Sequence, residues 1–250
     1  MKLLRLVLTF ILIQGPIREV WASPAMMGDG IERAPEKDHP ALCRIDISIE
    51  TDEGETEALC SGSLISENTV LTSAHCFPQN RNYSATVTCG GNWLGRVRRY
   101  ELPPESDWLD PEHPSPTRDF ARIQTRKRSR ASPLSLSRSA DTWFDHYGLL
   151  KESVSCRIAG FGMDSRGKSG HLLIGRPTGV EFWLEEGLIH MVPRSGWLKT
   201  SANPGDSGGP LLCHFPGMPE EIIGITEAYR FQDHHDQRID NLFVPTWNLP

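Results

Sequence analysis

Apolar residues in this chain come in short runs separated by glycine, proline and charged turns, with no sustained helical stripe and no internal repeat. Residues 84–89 alternate, with Ala85, Val87 and Cys89 on one face, the period-two pattern of a half-buried strand. Similar runs predict strands over 43–49, 58–65, 69–72 and 120–125. In the second half strands are predicted over 154–159, 187–191, 209–213, 222–226 and 242–244. Residues 26–42 are polar and proline-bearing, an extended lead-in, and 141–152 carry a short helical pattern. The run Arg126-Lys127-Arg128-Ser129-Arg130 and the Ser/Pro-rich segment to Ser139 read as a solvated linker. It divides the chain into nearly equal halves. The predicted fold class is all-β in two halves, with any catalytic machinery at their junction.

Composition sharpens this picture. A chain of 250 residues holds one large domain or two small ones that share a core, and 22 glycines with 19 prolines suit many tight turns. A formal charge of −6 argues against nucleic acid as a partner.

Residues 1–25 read as a signal peptide. Lys2 and Arg5 supply the positive end, residues 6–13 form an apolar stretch too short to span a bilayer, and cleavage is expected after Ala22 or Ala25. An uncleaved anchor is the competing reading. The mature protein is expected to be secreted or periplasmic and free of the membrane. Six cysteines, Cys43, Cys60, Cys76, Cys89, Cys156 and Cys213, fit an oxidising compartment. Zinc is disfavoured because no C-x-x-C or H-x-x-x-H pair is present.

Three segments carry chemistry. In Gly205-Asp206-Ser207-Gly208-Gly209-Pro210, a serine that needs a base and oxyanion donors sits among glycines. Gly205 can turn its N–H toward a substrate carbonyl, and with the N–H of Ser207 it would form an oxyanion hole. In Leu71-Thr72-Ser73-Ala74-His75-Cys76 a histidine follows a predicted strand, and a Cys60–Cys76 bridge would pin its loop. In Arg118-Asp119-Phe120-Ala121 an acidic residue opens a strand and can orient an imidazole. Each has a plainer reading alone: a glycine-rich turn, a structural histidine, a strand-start aspartate.

Together they resemble the trypsin/chymotrypsin family of serine proteases across residues 43–247. The likeness rests on these segments, on Ser61-Gly62-Ser63-Leu64-Ile65, and on Cys156-Arg157-Ile158-Ala159-Gly160-Phe161-Gly162. The order His, Asp, Ser at spacings of 44 and 88 residues also suits it. The resemblance implies two packed six-stranded antiparallel β-barrels with the active site in their cleft. An N-terminal barrel within 26–128 would carry His75 and Asp119, and a linker and C-terminal barrel within 129–250 would carry Ser207. It implies Cys60–Cys76 and Cys156–Cys213 bridges, which leave Cys43 and Cys89 as a third pair. The implied protein is a monomeric serine endopeptidase acting on protein or peptide substrates through an acyl-enzyme, with no metal or other cofactor. Asp206 is implied as the acceptor of a new N-terminal ammonium. Met26-Met27-Gly28-Asp29, directly after Ala25, is the candidate start.

Two other classes compete. Gly205-Asp206-Ser207-Gly208-Gly209 also fits the nucleophile elbow of an α/β-hydrolase, with His234 or His235 as nominal base, but strand–helix alternation is missing. A catalytically impaired relative serving as a binding module is the other. Departures from the family pattern keep it in view. The cysteine usually found shortly before the nucleophile is absent, and Ser201 falls at the floor of the specificity pocket. Ile225-Thr226-Glu227-Ala228-Tyr229 replaces the substrate-binding strand, which puts Tyr229 at the pocket wall and either Glu227 or Thr226 beside Asp119. The cluster Asp233-His234-His235-Asp236 reads as an exposed loop.

Overall fold

The computed structural model describes residues 30–77, 81–103, 118–137, 154–194, 200–232 and 238–249. The signal segment, the candidate start at Met26, the helical pattern over 141–152 and the cluster 233–236 lie outside the described residues.

Strand β1 (Ile31–Arg33) leads into a closed antiparallel barrel. The barrel consists of β2 (Leu42–Thr51), β3 (Gly54–Ser66), β4 (Thr69–Thr72), β5 (Tyr83–Cys89), β6 (Asn92–Glu101) and β7 (Ala121–Thr125), joined in the order β2-β3-β4-β7-β6-β5. Ala85, Val87 and Cys89 point inward as their alternation predicts, alongside Ile45, Ile47, Leu64, Val70 and Ile123. Closure removes the exposed strand edges that invite pairing with other chains.

The second half forms a nine-stranded sheet. It adds β8 (Ser135–Leu136), β9 (Ser155–Gly160), β10 (Leu173–Gly175), β11 (Val180–Glu185), β12 (Leu188–Pro193), β13 (Pro210–His214), β14 (Glu221–Gln232) and β15 (Arg238–Pro245). The order is β1-β10-β9-β13-β14-β15-β12-β11, with β8 parallel to β14. The turn between β11 and β12 has two residues, Glu186 and Gly187, both at positive φ (51° and 77°), as a tight hairpin demands.

One expected boundary changes. β1 pairs with β10, so the start of the 26–128 segment belongs to the second sheet, although it precedes the first barrel in sequence. The backbone of residues 31–34 finds its partners on the β10 edge, where Ala34 N–H donates to Leu172 O at 3.0 Å.

All three disulfides form, Cys43–Cys89, Cys60–Cys76 and Cys156–Cys213. The first and third join directly facing residues of β2–β5 and β9–β13. The halves also share apolar clusters. Leu42 packs with Ala159, Phe161 and Leu212, while Leu71 and Phe120 pack with Ile225, Leu242 and Val244. The halves thus meet in an apolar seam.

Candidate active site

β4 ends at Thr72, and His75 follows in a single 3-10 turn, Ala74–Cys76, whose last residue is tied to Cys60. β4 pairs with β7 so that Thr72 faces Ala121, which brings Asp119, just before β7, beside that turn. Asp119 is buried, at 2 % exposure. One carboxylate oxygen accepts the His75 backbone N–H at 2.8 Å, and the other meets Nδ1 at 2.5 Å. With the proton on Nδ1, the Nε2 edge is the one left to act as a base.

Protein surrounds the imidazole closely, though 34 % of its side-chain surface reaches solvent. Burial by itself would lower the His75 pKa. The Asp119 charge, the Asp119 hydrogen bond and the Glu227 charge together outweigh burial and hold the pKa above its ordinary 6.5.

Ser207 arrives from the other half. Gly208, at φ +81°, donates its N–H to Thr226 O at 2.8 Å, and a Cβ there would overlap Thr72 Oγ1, Ser61 O and Ser73 N. The nucleophile loop therefore lies directly against the strand end that leads into His75. Ser73 Oγ also donates to Thr226 O, at 2.9 Å. Ser207 is partly accessible. Gly205, at φ +96°, packs so closely on Gly162 that a Cβ would stand 2.8 Å from its Cα. No side chain fits there.

Asp206 turns inward, at 1 % exposure, and accepts N–H groups from Gly162 at 2.8 Å and Asn203 at 2.9 Å. Burial pushes its pKa up to about 7, against the pull of those two hydrogen bonds.

Ser201, expected at the pocket floor, is buried at 6 % exposure. Its neighbour is Asn241, a residue sequence reasoning missed. Asn241 is fully buried, and its Oδ1 accepts Ser201 Oγ–H at 3.2 Å and Ala202 N–H at 2.7 Å. Tyr229 faces Asn241 across the β14–β15 pair. The β14–β15 pairing slips between Thr226 and Ala228. Thr226 uses its carbonyl to bind the nucleophile loop, while the Glu227 charge is felt at His75.

A second His–Asp contact was also missed. His190 on β12 and Asp240 on β15 meet at 2.9 Å between Nδ1 and Oδ2, and both are buried. Among the described residues no group of three or more His, Cys, Asp or Glu is placed to hold a metal.

The nucleophile-elbow alternative fails on the fold. An α/β-hydrolase needs helices packed on a largely parallel sheet. The described helices here are single 3-10 turns, and almost every strand pair is antiparallel.

Comparison with known proteins agrees. The structure is similar to neuropsin, a serine protease expressed in the limbic system of mouse brain, at a TM-score of 0.56 and 19% identity, covering 88% of this chain and 94% of that one. At that identity the likeness speaks for the fold, the two-barrel arrangement with its cleft. A profile of the Trypsin family matches residues 30–242, which span both halves, the cleft and every segment that carried the resemblance. The chain belongs to the trypsin family of serine proteases.

Proposed function

We propose that the protein is a secreted or periplasmic, monomeric serine endopeptidase that cleaves protein or peptide substrates through an acyl-enzyme. The observation that carries this reading is the buried Asp119 holding His75 through both its backbone N–H and Nδ1, with the Ser207 loop packed against the same strand end. Ser207 Oγ attacks the scissile carbonyl as His75 Nε2 takes its proton. The N–H groups of Gly205 and Ser207 receive the oxyanion. His75 then returns the proton to the leaving amine, and water repeats the sequence on the ester. An intact His–Asp pair favours this over a role as a binding module alone. A fluorophosphonate probe is expected to label the mature protein and to leave Ser207→Ala unlabelled. Undiminished labelling of that variant would assign the nucleophile elsewhere.

Asp206 is proposed to receive the ammonium of a new N-terminus. Signal removal after Ala25 would create it at Met26. The observation in favour is a buried carboxyl with a raised pKa, which an adjacent ammonium would bring down again. N-terminal sequencing of the exported protein tests this, and a fully active mature form beginning at Ser23 overturns it.

The same reading extends to specificity. A cationic side chain that enters a narrow pocket unpaired costs several kcal/mol. Ser201 supplies no charge, and its hydroxyl is already bonded to Asn241. Small or medium apolar residues are therefore expected before the cut, with Ser201, Asn241, Tyr229 and Glu227 as the residues to vary. Matched substrates with Arg, Ala, Leu or Phe at that position decide it. A preference for Arg above about a hundredfold, about 2.7 kcal/mol in transition-state binding, overturns this view.

A further inference from the structure

We propose that Ser61, on β3 of the first barrel, is a positioning residue that holds the oxyanion loop of the second half in its working geometry. The inference rests on the peptidase reading and adds a residue to it. Ser61 is buried, at 1 % exposure, and all of its polar groups are engaged. Its N–H donates to Ser207 O at 2.8 Å. Its hydroxyl donates to Gly205 O at 2.7 Å and accepts the N–H of Phe161 at 2.8 Å. Its carbonyl accepts Thr72 Oγ1–H at 2.7 Å.

One residue in the first half, through its hydroxyl and its backbone together, thus joins three segments: the strand end that leads to His75, the segment after β9, and both ends of the tripeptide Gly205-Asp206-Ser207. Each of the two carbonyls it holds lies one peptide plane beyond an oxyanion donor. Gly205 N–H belongs to the peptide plane just before the one that carries Gly205 O. Ser207 N–H belongs to the plane just before the one that carries Ser207 O. Fixing those two carbonyls limits the rotation open to each donor. The need is real, because Gly205 has a glycine's freedom and is held at φ +96°. Oxyanion donors act only when aimed in advance at the position the charge will take, and small misplacements cost large factors in rate. A plainer role, in which the hydroxyl merely satisfies the buried Phe161 N–H, predicts a loss of stability with no change in the chemical step.

Ser61→Ala separates these roles, because it removes the hydroxyl and leaves both backbone bonds. In the mature enzyme, with native circular dichroism retained, kcat is expected to fall about ten- to a hundredfold with KM within about twofold. Affinity for a peptide boronate, which mimics the tetrahedral state, should fall by the same factor. An unchanged kcat and boronate affinity in folded Ser61→Ala overturns the proposal. Amide hydrogen exchange on the wild-type protein reads the clamp even if the variant does not fold. The Ser61, Phe161 and Gly208 amides should open together, and exchange of Phe161 at an unprotected rate would sink the idea. Absence of fluorophosphonate labelling in the wild type would instead defeat the peptidase reading, while the exchange experiment still reports on the clamp.

Discussion

The described residues include two His–Asp pairs built from the same contact. His75 Nδ1 meets Asp119 Oδ2 at 2.5 Å in the first half, and His190 Nδ1 meets Asp240 Oδ2 at 2.9 Å in the second. Both aspartates are almost wholly buried. They differ at the far side of the ring. The His75 side chain is 34 % exposed, whereas the His190 side chain is 6 % exposed and its Nε2 is buried without a hydrogen-bond partner. A histidine backed by a carboxylate becomes a base only if its other nitrogen can reach a reacting proton. The pair is thus not the catalytic feature. In the proposed mechanism the distinguishing feature is a pair whose ring reaches solvent and whose strand end carries the Ser207 loop packed against it, and among the described residues His190–Asp240 has neither.

The sharpest way to break this comparison is to mutate the two aspartates in parallel. Asp119→Asn keeps the shape but favours the wrong imidazole tautomer, and is expected to cost about 10⁴-fold in kcat with little change in folding. Asp240→Asn should leave kcat nearly untouched, which steady-state kinetics on one peptide substrate would show.

The next effect is on stability, and it runs the other way. Truncating one member of a buried pair strands the other, so Asp240→Ala is expected to lose about 3–5 kcal/mol in denaturant unfolding. A loss below about 1 kcal/mol would mean that the second pair contributes little to the fold.

The smallest effect is on pH dependence. The His75 pKa is raised, so the free base appears only as the pH climbs above the ordinary 6.5. The acid limb of kcat/KM should have its midpoint above that value. The stability contributed by the charged pair has the opposite trend. It is fully present below the unfolded-state pKa and is lost as pH rises through the folded one. The enzyme's working form is therefore the less strongly paired one. Glu227→Gln removes one of the raising charges and should move the acid limb downward, by less than loss of the Asp119 charge would, since Asp119 supplies the larger share. An upward or absent shift in the pH–rate profile would remove Glu227 from the electrostatics of the site.

Much of this was legible in the sequence, for a definite reason. The strand at Tyr83–Cys89 and the strand Thr69–Thr72 show in residues two apart or in apolar runs, because the strand period is local. β6 was missed because Arg96, Arg98 and Arg99 break its pattern, and their exposed side chains tell nothing of the ladder that holds the backbone. β1 and β8 were missed because three and two residues carry no period. Glycines at the nucleophile were legible as a motif. Their necessity appears only when Gly208 is seen against Thr72 and Ser61, and Gly205 against Gly162.

By itself the sequence determined the all-β class, the three segments with His75, Asp119 and Ser207, and the membership that follows from their order. Local chemistry and short-range pattern are written in neighbouring residues. Only the tertiary structure decided that β1 joins the second sheet, that Ser201 spends its hydroxyl on Asn241, 40 residues away, and that His190 meets Asp240 across 50. It also decided that Ser61 reaches Gly205 across 144. Those contacts join buried polar groups that must find partners, and a partner that distant leaves no trace in the residues beside either one.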